Sequence, residues 1–237
     1  MTQTVNPVAV ITGAAGNLGQ ATARKFHALN YQLALLDRST ESLKSLSEEL
    51  GNERVSTYAV DLINPESVQD VVKRICDDLG HIEVLANIAG GFTMGPLIQD
   101  TQNRDWDFMF DLNARSVFHM CREVLPVMLA NQASGRIINV SARAALNGKA
   151  KMGPYCASKS AVLTLTESLA AENWSNDINV NCILPGTIDT PQNRADMPNA
   201  DFSSWVAPSQ LADVVAFLAS ADASAVNGAA IPVFGKS

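Results

Sequence analysis

Seven short apolar runs, separated by stretches of helical periodicity, leave this chain few folds to adopt. VAVIT (8–12), YQLALLD (31–37), VSTYAVD (55–61), IEVLANIAG (82–90), GRIINVS (135–141), INVNCILPG (178–186) and AAIPVFG (229–235) read as strands. Apolar residues recur at helical spacing over 17–29, 39–50, 65–79, 103–112, 114–131, 153–174 and 210–220. Near-continuous apolar strands alternating with helices predict an α/β protein: a doubly wound, seven-stranded parallel sheet with helices on both faces. No composition shift, repeat or low-complexity stretch marks a second domain, so residues 1–237 are read as one. Residues 187–208, rich in Pro, Asn and Asp, are the one long irregular piece. They are read as a substrate loop or lid.

Composition narrows the function classes. Hydrophobic residues make up 47% of the 237, enough for a large core, and only 17% are charged, which suggests burial extending to subunit contacts. The net charge of -7 and the lack of a basic block argue against nucleic acid as a partner. Cys76, Cys121, Cys156 and Cys182 form no CxxC pair, so free thiols in a reducing compartment are expected and a metal site is not. The start, MTQTVNPVAVITG, lacks the basic flank and long apolar core of a signal peptide, and no apolar run reaches spanning length. The expectation is a soluble cytoplasmic protein with no membrane partner.

TGAAGNLG (12–19) sits where the first strand meets the first helix. Gly13, Gly16 and Gly19 permit a tight turn and close backbone approach, and the N-terminus of the helix offers free amides to a pyrophosphate. Strand, turn and helix in that order predict a Rossmann-type dinucleotide site, with Ala15, Asn17 and Leu18 in the same turn. Asp37 ends the second strand, where a carboxylate accepts hydrogen bonds from ribose hydroxyls and repels a 2′-phosphate. This favours NAD(H), while Arg38 beside it keeps NADP(H) open. Asp61, with Leu62, lies at the adenine end of the same edge, and Asn87, Ala89 and Gly90 end the fourth strand there.

Tyr155 and Lys159 stand four apart at the start of a helix and share a face. An ammonium beside the phenol would lower its pKa from about 10, making it a usable acid and base near neutrality. Ser141, at the end of the fifth strand, is placed to hydrogen-bond an oxygen whose charge changes during hydride transfer. Asn113, at a break between two helical runs, would hold water and the lysine in a proton relay. Each feature alone is common; together they follow a nucleotide-binding half in the right order.

Over essentially its whole length the chain resembles the short-chain dehydrogenase/reductase family. The matching residues are TGAAGNLG, Asp61, NIAG at 87–90, Asn113, Ser141, YCASK at 155–159 and PGTIDT at 185–190. The resemblance implies that Tyr155 moves the proton, and that Lys159 binds the nicotinamide ribose and tunes the tyrosine. It implies that Ser141 positions the substrate oxygen and Asn113 supports the relay. It places Pro185, Gly186, Ile188 and Thr190 along the nicotinamide. Arg143 and Asn193, on the loops after the fifth and sixth strands, are the further substrate candidates. One departure is Ile88, where the family usually has a second asparagine. DTPQNRADMPNADFSSW (189–205) is similar to the matching segment of quinoid dihydropteridine reductases, which keep the tyrosine and lysine but are not built around the serine. The expected activity is therefore NAD(P)-dependent hydride transfer on a carbonyl/alcohol pair, with a 3-oxoacyl thioester as one substrate class and a quinonoid pterin as its rival. A nucleotide-sensing protein without chemistry is the alternative from another class. The resemblance also implies a homodimer or homotetramer paired through the helices at 114–131 and 153–174.

Overall fold

The computed structural model describes residues 6–131 and 134–236. Residues 1–5, on which the reading of the N-terminus partly rests, lie outside the described residues. The strands are β1 (Val8–Thr12), β2 (Gln32–Asp37), β3 (Val55–Ala59), β4 (Val84–Asn87), β5 (Gly135–Val140), β6 (Ile178–Pro185) and β7 (Ala230–Val233). They form one sheet in the order β3-β2-β1-β4-β5-β6-β7, every pair parallel. Every residue of β1, β4, β5 and β6 is buried, as a sheet covered on both faces requires. The chain order reverses between β1 and β4, and parallel sheets of this kind bind ligands in the crevice at that point.

The helices are α1 (Asn17–Ala28), α2 (Lys44–Leu50), α3 (Pro65–Leu79), α4 (Asn103–Phe110), α5 (Ser116–Asn131), α6 (Gly153–Asn173), α7 (Pro191–Asp196) and α8 (Pro208–Ala219). α3 shows why the sequence folds as it does. The Asn64 side chain accepts from the Ser67 amide at 2.8 Å, and Pro65 opens the first turn without needing a donor. Val68, Val71, Val72 and Ile75 then form one buried stripe, and Gly80, at φ 88°, ends the helix. On one face of the sheet α1 and α8 bury Phe26, Leu211 and Val215 against Ile11 and Leu35. On the other, α3, α5 and α6 bury Val72, Val124 and Leu169 against Leu85, Ile137 and Val180. Truncating Phe26, fully buried, to alanine would cost about 3–5 kcal/mol.

Three elements differ from the sequence reading. The run at 39–50 starts as a 3-10 turn (Glu41–Leu43) before α2. The expected break at Asn113 is a widened π turn (Asp111–Arg115) joining α4 to α5 without interruption. Residues 187–208 are not irregular throughout: they contain α7 and a 3-10 turn at Phe202–Ser204. They brace themselves through a bidentate Arg194–Asp189 pair at 2.6 and 2.8 Å, with the Arg194 guanidinium 4.7 Å from the centre of the Phe202 ring. Ile188 also bridges to Val206. Among the described residues no helix is long and apolar enough to cross a membrane.

Candidate active site

The site is built on the C-terminal ends of β1, β2, β4, β5 and β6. The turn after β1 is a backbone construction. Gly13 has φ 62°, and a Cβ there would lie 2.8 Å from the Ala89 Cα. A Cβ on Gly19 would lie 2.2 Å from the Gly13 oxygen, so α1 packs onto the turn as only glycine allows. Gly16 caps α1 without any side chain occupying the first-turn amides. Those amides, with the positive end of a 12-residue helix, suit a pyrophosphate. Asp37 ties this turn to β2: one carboxylate oxygen accepts from the Ala15 amide at 3.1 Å, the other from the Arg38 amide at 2.8 Å. These residues fit a dinucleotide.

At the adenine end Asp61 is exposed, and one carboxylate oxygen accepts from the Ile63 amide at 3.2 Å. The Leu62 carbonyl is held 3.0 Å from His119 Nδ1. The Asn87 side chain is buried and donates to Asn139 Oδ1 at 2.9 Å, so it stitches β4 to β5. Ile88 and Ala89 instead give their amides to Thr12 Oγ1, at 3.0 and 3.1 Å. That hydroxyl ends β4 and holds Ala89 and Gly90 against the glycine turn. Thr12 was not singled out in the sequence, although a hydroxyl on the last residue of β1 is the signal.

At the catalytic corner, Tyr155 is in the first turn of α6 and Lys159 is one turn on. Asn113 reaches this corner from the π turn. Its amide pairs with Gly91 in both directions, accepting from the Gly91 amide at 2.9 Å and donating to the Gly91 carbonyl at 3.1 Å. It also donates to Ser158 Oγ at 3.1 Å, and Ser158 donates to the Tyr155 carbonyl at 2.9 Å. A Cβ on Gly90 would lie 2.9 Å from Asn113 Oδ1 and 3.0 Å from Lys159 Nζ, so these two groups meet over that glycine. Ser158 is a second residue the sequence reading passed over, being masked inside the helix pattern.

Two expectations about this corner are corrected. Lys159 is buried, and its ammonium donates to the Val140 carbonyl at 2.9 Å rather than to the tyrosine. Burial alone holds the amine down to about 8, while burial first, and the negative charge of a Cys156 thiolate second, push the Tyr155 phenol up to about 12. Ser141 likewise faces away from the phenol: it is buried, and its hydroxyl donates to the Lys159 carbonyl at 2.7 Å. Side chains alternate across an extended segment. The next residue, Ala142, therefore takes the side that packs with Tyr155, in a cluster with Ala144, Cys156 and Met152.

The remaining candidates lie on the rim. Pro185 is buried at the end of β6, and the Gly186 amide donates to the Val233 carbonyl at 3.0 Å. Thr190 Oγ1 caps α7 by accepting from the Asn193 amide at 3.1 Å. The Asn193 side chain donates to the Ile188 carbonyl at 2.7 Å, so it braces the loop instead of presenting its amide to a substrate. Arg143 is exposed, its guanidinium 4.9 Å from the centre of the Phe234 ring.

Comparison with known proteins agrees with this geometry. The short chain dehydrogenase family model matches residues 7–201. Nodulation protein G of Rhizobium sp. (strain N33) is 33% identical over 96% of this chain and 95% of its own. The 3-oxoacyl-(acyl-carrier-protein) reductase FabG of Thermotoga maritima is 31% identical over 96% of each chain. Among solved structures, NAD+-bound xylitol dehydrogenase superposes with a TM-score of 0.88 at 27% identity, covering 98% of this chain and 100% of that one. With a glycine turn shaped for a dinucleotide, and a tyrosine and lysine one helical turn apart at the same sheet edge, the chain belongs to the short-chain dehydrogenase/reductase family and is an NAD(P)-dependent oxidoreductase.

Proposed function

We propose that the protein uses NAD(H) to interconvert a carbonyl and an alcohol, with Tyr155 giving or taking the proton. The observation that carries this reading is the placement of Tyr155 and Lys159 on one face of α6, at the sheet edge that also holds the glycine turn. When bound, the nicotinamide supplies or accepts the hydride at its C4. Lys159 would turn from the Val140 carbonyl to the nicotinamide ribose, bringing its charge toward the phenol. Asn113 would hold the lysine and the Gly91 backbone in place, and Ser141 would anchor α6 at the Lys159 carbonyl. Thr190 and Ile188 would lie along the nicotinamide. Asp37 supports NAD(H): its carboxylate, already held by the Ala15 amide, would face the ribose hydroxyls and repel a 2′-phosphate.

For the substrate we favour a carbonyl of the 3-oxoacyl thioester kind, a class supported by the FabG relative. A quinonoid dihydropterin is the second reading. Its specific support is Ala142, which offers a methyl group rather than a hydroxyl to the tyrosine side. An acceptor already activated by conjugation needs less help from a second donor. The test is to follow NADH and NADPH oxidation with a 3-oxoacyl thioester and a quinonoid dihydropterin side by side. Turnover of the thioester supports the first reading; turnover of the pterin alone replaces it with the second. NADH binding without turnover of any carbonyl or pterin would favour a sensor.

We also propose a homodimer or homotetramer paired through α5 and α6. Phe118 and Leu129 on α5 are 46% and 43% exposed, large apolar groups that a second copy would cover. Ala170, by contrast, is buried within the chain and does not contribute. Sedimentation equilibrium distinguishes these states from a monomer.

A further inference from the structure

Phe92 belongs to none of the three buried apolar clusters among the described residues, yet its loop is tied down on both sides. Just before it, the backbone of Gly91 is held on both its polar groups by the Asn113 amide. Gly91 also packs closely on the Leu112 side chain of the π turn: a Cβ there would lie 2.7 Å from Leu112 Cδ2. Three residues after Phe92, the Gly95 amide donates to the Lys151 carbonyl at 2.9 Å, strapping the loop to the approach of α6. Between these two straps the Phe92 ring meets the Tyr155 ring edge to face, with centroids 4.9 Å apart and planes at 81°. About half of Phe92 (51%) remains exposed. The ring thus covers one side of the tyrosine while its own outer face stays open to solvent.

We propose that Phe92 is a specificity-determining residue of the hydride-transfer site: its ring walls off the Tyr155 phenol from bulk water and limits the bulk carried beside the substrate carbonyl. The second half of this statement rests on the carbonyl reading above; the first half does not. Tyr155 also packs in an apolar cluster with Ala142, Ala144, Cys156 and Met152. Of the titratable groups nearby, a Cys156 thiolate adds to the effect of burial on the phenol. The Lys159 ammonium is bound to Val140. The strapped loop from Gly91 to Ile98 carries no titratable side chain. Arg143 lies over Phe234, and Lys149 and Lys151 are exposed. Water exclusion therefore dominates, and Phe92 is the removable part of it.

The experiment is a phenolate absorbance titration, read within milliseconds of a jump to alkaline pH, on the wild type, Phe92→Ala and Phe92→Leu. Tyr155→Phe serves as the blank that subtracts Tyr31 and Tyr58. In Phe92→Ala the Tyr155 midpoint should fall from about 12 toward 10, by about one pH unit, because water reaches the phenolate. Phe92→Leu should keep most of the wild-type value. NADH binding, followed by fluorescence, should be unchanged in both variants. With turnover established, Phe92→Ala should raise the kcat/KM ratio of an aryl ketone over a methyl ketone by about tenfold. An unmoved midpoint in Phe92→Ala, or an unchanged ketone ratio, overturns the proposal. If the wild type binds NADH but reduces no ketone, the carbonyl reading fails, and the titration alone still decides whether Phe92 shields the phenol.

Discussion

The glycine turn after β1 and the catalytic corner between β5 and α6 share one sheet edge but are made of different material. The turn is backbone: Gly13, Gly16 and Gly19 set its shape, and Thr12 and Asp37 brace it with side-chain oxygens. The corner is side chain, and its groups are turned onto one another: the Lys159 ammonium on Val140, the Ser141 hydroxyl on Lys159. Burial disfavours the charged form of both Lys159 and Tyr155. The nucleotide half is fixed by its backbone, whereas the lysine of the chemical half is held on a main-chain carbonyl, which on the proposed reading it would leave for the nicotinamide ribose. Burial opposes charge on both groups, so the phenol is held in its protonated form near neutral pH.

That contrast can be broken most sharply at Tyr155. Tyr155→Phe should lower kcat by about a thousandfold, as expected for loss of a general acid, with NADH affinity unchanged. Full activity would remove the corner from the chemistry altogether. The opposite pattern is expected at the turn. Gly19→Ala sets a Cβ 2.2 Å from the Gly13 oxygen, so NADH binding should weaken by about a hundredfold or the protein should melt several degrees lower. An unchanged Kd would mean that the turn is softer than its contacts indicate. Asp37→Ser should shift the NADPH-to-NADH kcat/KM ratio upward by about tenfold, and losing the Ala15 contact should cost about 1 kcal/mol in stability.

The pH dependence of stability isolates the lysine. Its folded pKa, about 8, lies below its ordinary 10.5. The unfolded chain therefore holds the extra proton between these values, and stability rises with pH across that window. Lys159→Met should be more stable than the wild type by a few kcal/mol at pH 7. The gap should narrow by about 1 kcal/mol between pH 8 and 9 in chemical denaturation. A gap that stays constant would show that the ammonium is not the strained group. The smallest effect is expected at Ser141. Ser141→Ala should change kcat by less than about threefold and cost roughly 1 kcal/mol for the lost bond to α6. A hundredfold fall in kcat would return the serine to the chemistry and shrink the difference between the two regions.

Much of this was legible in the chain. VAVIT before TGAAGNLG predicts strand, turn and helix because apolar runs and glycines act locally, and α3 announces itself with Asn64, Pro65 and a four-residue apolar stripe. The pairing of Tyr155 with Lys159 on one face follows from helix geometry alone. Less legible was which way single side chains turn. The Asn87 side chain is a buried link to Asn139, and the Asn193 side chain braces Ile188. Thr12 and Ser158, though inside TGAAGNLG and YCASK, were given no role of their own because hydroxyls at strand ends and inside helices are too common to stand out.

The sequence by itself determined the α/β alternation, the dinucleotide turn and the membership of Tyr155 and Lys159 in one helical face. Each of these depends on residues within one or two turns of each other. Only the tertiary structure decided that Ser141 points to α6 and Ala142 to the phenol, that Asn113 clamps Gly91, and that Phe92 closes over Tyr155. Those outcomes depend on which side of an extended segment meets a helix from elsewhere in the chain. A shift of one residue reverses that side, and composition and spacing carry no record of it.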